Sequence, residues 1–252
     1  FYGQMEQWRN RPLEANWVAI YIDAIFVKVR RDTVQSEAFY VLLGLKEDLT
    51  REVIGVYYIP QESASGWEEV LNSLKERGIE SVGLFVSDDL TGLSNVISKV
   101  FVESKQQKCM VHFQRSLHKD LRKKDRALFS QELKEVFQPN NKQYSKEQAM
   151  NNLQELLLRW GESYRRFKKV ASRDDLENLF TYLDFDYRAR RMIYTTNWIE
   201  RLNKSFRRTL KVRNAMPSPE SAITLIGYVA IEIEQGTYSY PVSSFRLDDN
   251  FC

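Results

Sequence analysis

Residues Trp17 to Val29, WVAIYIDAIFVKV, are almost continuously apolar and rich in β-branched and aromatic side chains. A run of this kind is a central strand covered on both faces, so the chain must build a sheet with a layer on each side. Ser36 to Leu45 (SEAFYVLLGL) and Glu52 to Ile59 (EVIGVYYI) read as two further strands, with connections too short to hold a helix. Three such strands in succession form an antiparallel meander. Ser65 to Arg77 then reads as a helix with Trp67, Val70, Leu71 and Leu74 on one face, ended by Gly78. Ser81 to Val86 is a short buried strand, Thr91 to Phe101 a second helix, and Gln107 to His112 a fifth strand. The expected order is βββαβαβ, a meander joined to parallel strands through crossover helices.

Beyond this block the character changes. Residues 114–192 are charged and helical in period, with breaks at Gln138-Pro139-Asn140-Asn141 and near Gly161, and read as an all-helical insertion. Ser145-x-x-Gln148 has the form of a capping box ahead of Leu153, Leu156, Leu157 and Trp160. The expected organisation is a polar lead-in at 1–16, a core at 17–113, the insertion at 114–192, the last core helices at 193–236 and a loose tail at 237–252.

Composition narrows the class. With 252 residues, 43% hydrophobic and 28% charged, the chain is globular. No apolar run approaches a membrane span and no signal peptide opens the chain, so no membrane partner is expected. Two distant cysteines, Cys109 and Cys252, make no disulfide framework, which points to a reducing interior. The net charge is only +3, but Arg188 to Arg213 holds nine Arg/Lys against one acid, and Arg115 to Arg126 six against two. Local basic blocks favour a nucleic-acid partner. The chain opens on Phe1, which reads as a fragment of something longer.

The second basic block is a strongly amphipathic helix, Thr195 to Arg213. Trp198, Ile199, Leu202, Phe206 and Leu210 form its core-facing stripe; Glu200, Lys204, Arg207 and Lys211 line the other side, with Arg201, Arg208 and Asn203 beside them. Asn197-x-x-Glu200 has the form of a capping box, which would explain the acid structurally. Two other acids sit against expectation. Asp23 lies inside the central strand, where a carboxylate must be protonated, paired with a Lys or Arg, or bound to a metal. Asp88 ends the fourth strand, at the strand end where open α/β sheets bind ligands. It and Asp89 are equally candidates to cap the helix that follows. Two strand acids and one helix acid together would make a hard oxygen cage suited to Mg²⁺ or Mn²⁺.

Several local motifs carry a resemblance. Tyr21-Ile22-Asp23-Ala24, Ser87-Asp88-x-Leu90-x-Gly92-Leu93, Cys109-x-x-His112 and Thr195-Thr196-Asn197-x-Ile199-Glu200-x-Leu202-Asn203 are similar to those of prokaryotic Mutator-family insertion-sequence transposases of the DDE type. The resemblance spans about residues 8–235. It implies an α/β, ribonuclease-H-like five-stranded mixed sheet with flanking helices, interrupted by the helical insertion. It implies Asp23, Asp88 and Glu200 as catalytic metal ligands, holding two Mg²⁺ or Mn²⁺ ions for DNA cleavage and strand transfer, with Arg207 as basic partner. Lys204, Arg208, Lys211 and Arg201 would join Arg207 in holding DNA. Asn197, Cys109 and His112 would stand beside the site; a zinc role for the Cys-x-x-His pair is rejected, because the chain holds only two Cys and two His. A homo-oligomer acting on transposon ends and target DNA is expected, in a prokaryotic cytoplasm at the nucleoid, or in the nucleus of a eukaryote.

Two departures stand out. Position 89 is Asp where the family has glycine, and the N-terminal region with which such transposases recognise element ends is missing or supplied elsewhere. Two rival readings remain open: another ribonuclease-H-like nuclease, and an inactive, domesticated descendant acting as a DNA-binding module.

Overall fold

The computed structural model describes residues 2–242, which divide into two compact units. The first comprises the chain up to residue 105 and again from 196; the second comprises 106–195.

The first unit is built on the sheet. Strands β1 (Asn16–Arg30), β2 (Val34–Lys46) and β3 (Arg51–Tyr58) form the expected antiparallel meander, and β4 (Ser81–Ser87) runs parallel to β1. With β5 (Lys105–Lys108) the sheet order is β3-β2-β1-β4-β5, a mixed open sheet. Before it comes α1 (Tyr2–Asn10); α2 (Ala64–Glu76) joins β3 to β4, and α3 (Leu93–Val100) joins β4 to β5.

The alternation of β1 sorts its side chains to two faces. Ile20 and Ile22 join Tyr40, Leu42 and Ile54 in a core closed by Trp67, Leu71 and Leu74 of α2 and Val96 and Ile97 of α3. Tyr21, Asp23, Ile25, Val27 and Val29 are buried on the other face.

Three expectations for this unit need correction. The polar lead-in holds a helix: α1 buries Met5 and Trp8, at helical spacing, against Gly227. Two apolar residues in nine are too few to read as a helix from sequence, and packing supplies the rest. The helix expected from Thr91 begins at Leu93, because Gly92 adopts φ +79° and breaks the turn. The fifth strand lies earlier than Gln107–His112. It is the polar edge segment KQQK, whose hydrophilic sequence hides it from a search for apolar runs.

In the second unit, after the β5 residues 106–108, the described elements are helices: α4 (Met110–His118), α5 (Arg126–Val136), α6 (Lys146–Gly161), α7 (Arg165–Ala171) and α8 (Tyr187–Ile193), with short 3-10 turns. The expected capping box opens α6: Gln148 N donates to Ser145 Oγ at 3.1 Å and Ser145 N to Gln148 Oε1 at 3.0 Å. Phe129 is the hub of the interior, with the rings of Phe167 and Trp160 at 5.2 and 5.4 Å edge-on.

The chain then returns to the first unit with α9 (Asn197–Lys211) and α10 (Pro219–Gln235). Ser218 caps α10 and Pro219 occupies its first turn. Between the helices Met216 forms a parallel bridge with Val29. The tail is not wholly loose. Tyr238 is buried, Arg51 stacks on its ring at 4.4 Å, and Val242 N donates to Leu49 O. The remainder of the expected tail, with Cys252, lies outside the described residues. Among the described residues no helix is long and apolar enough to cross a membrane.

Candidate active site

Asp23 and Asp88 are brought close by strand register. The last parallel pair between β1 and β4 is Ile22↔Ser87, so each acid is the next residue along its own strand. Neighbouring strands lie about 4.8 Å apart, which sets these two backbones side by side. β1 then continues alone on this edge until the Val29–Met216 bridge. Asp23 is buried, Asp88 half-buried and Asp89 exposed.

The loop carrying Asp88 is fixed from below. Gly92 is required there twice over: its φ is positive, and a Cβ would stand 2.8 Å from the Ala64 backbone. Glu62 bridges the same region, accepting from Tyr40 Oη at 2.7 Å and from the Thr91 backbone N–H. The cap position of α3, for which Asp88 and Asp89 were candidates, is held by Gly92.

α9 reaches Asp23 through a residue that the helical wheel had put among the polar positions. Asn203 is fully buried with Ile199, Leu202 and Phe206, in the centre of the apolar stripe. Its Nδ2 donates to Asp23 Oδ2 at 2.7 Å. The signal was present in the sequence: Asn203 lies four residues after Ile199 and three before Phe206, the spacing of a core position. Glu200 precedes Asn203 by three residues and is therefore its neighbour on the helix surface, half-buried at the border of the stripe. The capping box expected for Asn197 and Glu200 is not formed. Asn197 is the first helical residue and exposed, Thr196 is the cap, and no side-chain capping bond closes this end.

Trp198 is half-buried over Tyr21 at 5.4 Å, and the Arg51 guanidinium lies 5.6 Å from its ring. Arg51 is thus held between Trp198 and Tyr238, and desolvation pulls its pKa down. This contact ties the first turn of α9 to β3. On the outer side of α9, Arg201, Lys204, Arg207, Arg208 and Lys211 are all exposed, and none is engaged in an ion pair among the described residues.

Cys109 and His112 belong to the second unit. Cys109 is the buried cap of α4 and His112 lies in its first turn, with their sulfur and ring nitrogen within 4.8 Å of one another. The motif therefore opens a helix rather than ending a strand.

Fold and site together define a class: an α/β domain with carboxylates at adjoining strand positions and, packed on them, a helix with a cationic outer face. Comparison with known proteins supplies the family. The profile of the family described as Transposase, Mutator family, matches residues 2–238. The chain belongs to that family. Among its relatives is the transposase for insertion sequence element IS905 of Lactococcus lactis, 32% identical over 212 residues, covering 84% of this chain and 53% of the relative. The transposase for IS1201 of Lactobacillus helveticus is 31% identical over 232 residues, covering 92% of this chain and 61% of the relative. The transposase for IS256 in transposon Tn4001 of Staphylococcus aureus is 32% identical over 232 residues, covering 91% and 58%. The chain thus spans between half and two thirds of the length of these relatives.

Proposed function

We propose that this chain is the catalytic region of a DDE transposase with a ribonuclease-H-like core, and that Asp23, Asp88 and Glu200 form its metal-binding acid triad. The observation that supports the reading is that all three acids lie in the first unit, on two neighbouring strands and the helix packed on them. Register places Asp88 beside Asp23, and Asn203 ties to Asp23 the helix that bears Glu200. The sheet order β3-β2-β1-β4-β5, with an antiparallel meander and a parallel β1–β4 pair, supports the fold assignment. The helical run from Met110 to Ile193 supports a helical insertion at 114–192 between core segments 17–113 and 193–236.

Three carboxylates make a hard, all-oxygen donor set, which fits Mg²⁺ or Mn²⁺. Asp23, Asp88 and Glu200 would hold two such ions, which when bound supply Lewis acidity to the scissile phosphate and acidify the attacking hydroxyl. The reaction class is polynucleotidyl transfer: attack on a DNA phosphodiester by water, then by a 3′-hydroxyl. The protein needs no nucleophile of its own for this, so its residues have three tasks. The strands fix Asp23 and Asp88 side by side, α9 presents Glu200, and Arg201, Lys204, Arg207, Arg208 and Lys211 hold the phosphate backbone. Transposon ends and target DNA are the partners, engaged by more than one copy of the protein, in the bacterial cytoplasm at the nucleoid.

The test is a cleavage and strand-transfer assay on labelled duplex DNA bearing element ends, with Mg²⁺ or Mn²⁺ and Asp23→Ala as control. Metal-dependent cleavage that vanishes in the control is expected. Binding without cleavage, unaffected by metal, would favour a DNA-binding module instead.

A further inference from the structure

We infer that Asn203 is a positioning residue for Asp23, fixing the orientation of its carboxylate. The inference rests on the reading of Asp23 as a cation ligand and adds to it a residue that the acid triad does not include.

Asn203 is 0% exposed and Asp23 5% exposed, and Nδ2 donates to Oδ2 at 2.7 Å. The amide can face the carboxylate only with its nitrogen, because the flipped orientation would set two acceptors against each other. One oxygen of Asp23 is thereby engaged with the helix, and the carboxylate cannot rotate freely about its own axis. The other end of the same amide argues against a purely structural role. Asn203 Oδ1 is buried and finds no hydrogen-bond partner. A buried polar atom left unsatisfied calls for a reason beyond packing. The amide contributes a donor to the buried Asp23 carboxylate and, with it, a fixed orientation of that carboxylate. Residues that hydrogen-bond to a metal ligand commonly set its orientation in this way. The same contact fixes the register on β1 of α9, the helix that bears Glu200.

The experiment compares the parent chain with Asn203→Leu, Asn203→Ala and Asp23→Ala. Three properties are measured: Mn²⁺ affinity without DNA, the thermal midpoint, and kcat and DNA Kd in the cleavage assay. Asn203→Leu should bind Mn²⁺ about 10- to 100-fold more weakly, lose kcat with DNA Kd unchanged, and melt below the parent, since the buried Asp23 carboxylate loses a donor. Asn203→Ala should weaken Mn²⁺ to the same degree, which keeps the test open if leucine does not fit. If the folded Asn203 variants bind Mn²⁺ as the parent does while Asp23→Ala does not, the positioning role is wrong and the acid site stands. If Asp23→Ala also binds Mn²⁺ like the parent, both readings fall.

Discussion

Asp88 and Asp89 leave β4 as consecutive residues, and consecutive side chains of an extended segment point to opposite sides. Only Asp88, half-buried, continues the register that pairs β4 with β1; Asp89 is exposed. Asp88→Asn should therefore abolish metal-dependent cleavage, whereas Asp89→Gly should keep most of it; the reverse pattern in a single-turnover assay would overturn the assignment. Glu200 permits an equally direct test. Its structural alternative was a capping box, and that box is not formed. Glu200→Gln preserves size and helix propensity but replaces the proposed charged ligand with a weaker neutral one. The expected result is a thermal midpoint within a few degrees of the parent and loss of cleavage by at least about 100-fold, on the scale of removing one strong electrostatic contribution to a transition state.

At the scale of elements, two connections hold the acids in place. The Asp88 loop depends on Gly92, whose φ of +79° and contact with the Ala64 backbone exclude a side chain. Gly92→Ala should cost about 1–3 kcal/mol from strain at a position with positive φ, read as a lower denaturant midpoint at unchanged m-value. Helix α10 carries a different sensitivity. Glu234 accepts from the Val53 N–H, and burial raises its pKa to about 7, although Arg11 at 3.9 Å acts in the opposite sense. A carboxyl whose pKa is raised on folding binds its proton more tightly in the native state. Its contribution to stability is therefore complete below the ordinary value near 4.5 and is lost as pH rises through about 7. Glu234→Gln should flatten the decline in unfolding free energy across that window, with the largest difference from the parent, up to about 3 kcal/mol, above pH 7.

At the scale of the whole molecule, the exposed cations of α9 face outward, and such contacts grip phosphates without reading bases. This chain should bind duplex DNA with little sequence preference, its affinity falling steeply with salt, and charge removal at Arg207 should lower the slope of log Kd against log salt by about 1. Tight discrimination between element-end and random duplex at fixed salt would contradict this. Much of the architecture was legible beforehand, because the apolar run at Trp17–Val29 and the two runs after it leave few alternatives to a meander at the centre of a covered sheet. The acids Asp23, Asp88 and Glu200 could be picked out because each breaks a local pattern: a charge in a core strand, at a strand end, or in a cationic helix. What escaped was structure whose reason lies in another part of the chain. Edge strand KQQK carries no apolar signal, and its strand form comes from pairing at the margin of the sheet. Met5 and Trp8 make a helix worth forming only once α10 offers Gly227 as a surface to pack on. Asn203 looked polar and was placed with the polar residues, although its spacing put it in the core. The sequence by itself determined the four apolar strands, the helices with a strong apolar stripe and the unusual acids, since these follow from local periodicity and desolvation. Only the tertiary structure decided that a buried amide 180 residues away is a partner of Asp23, because burial and pairing are set by what packs opposite, which no local pattern encodes.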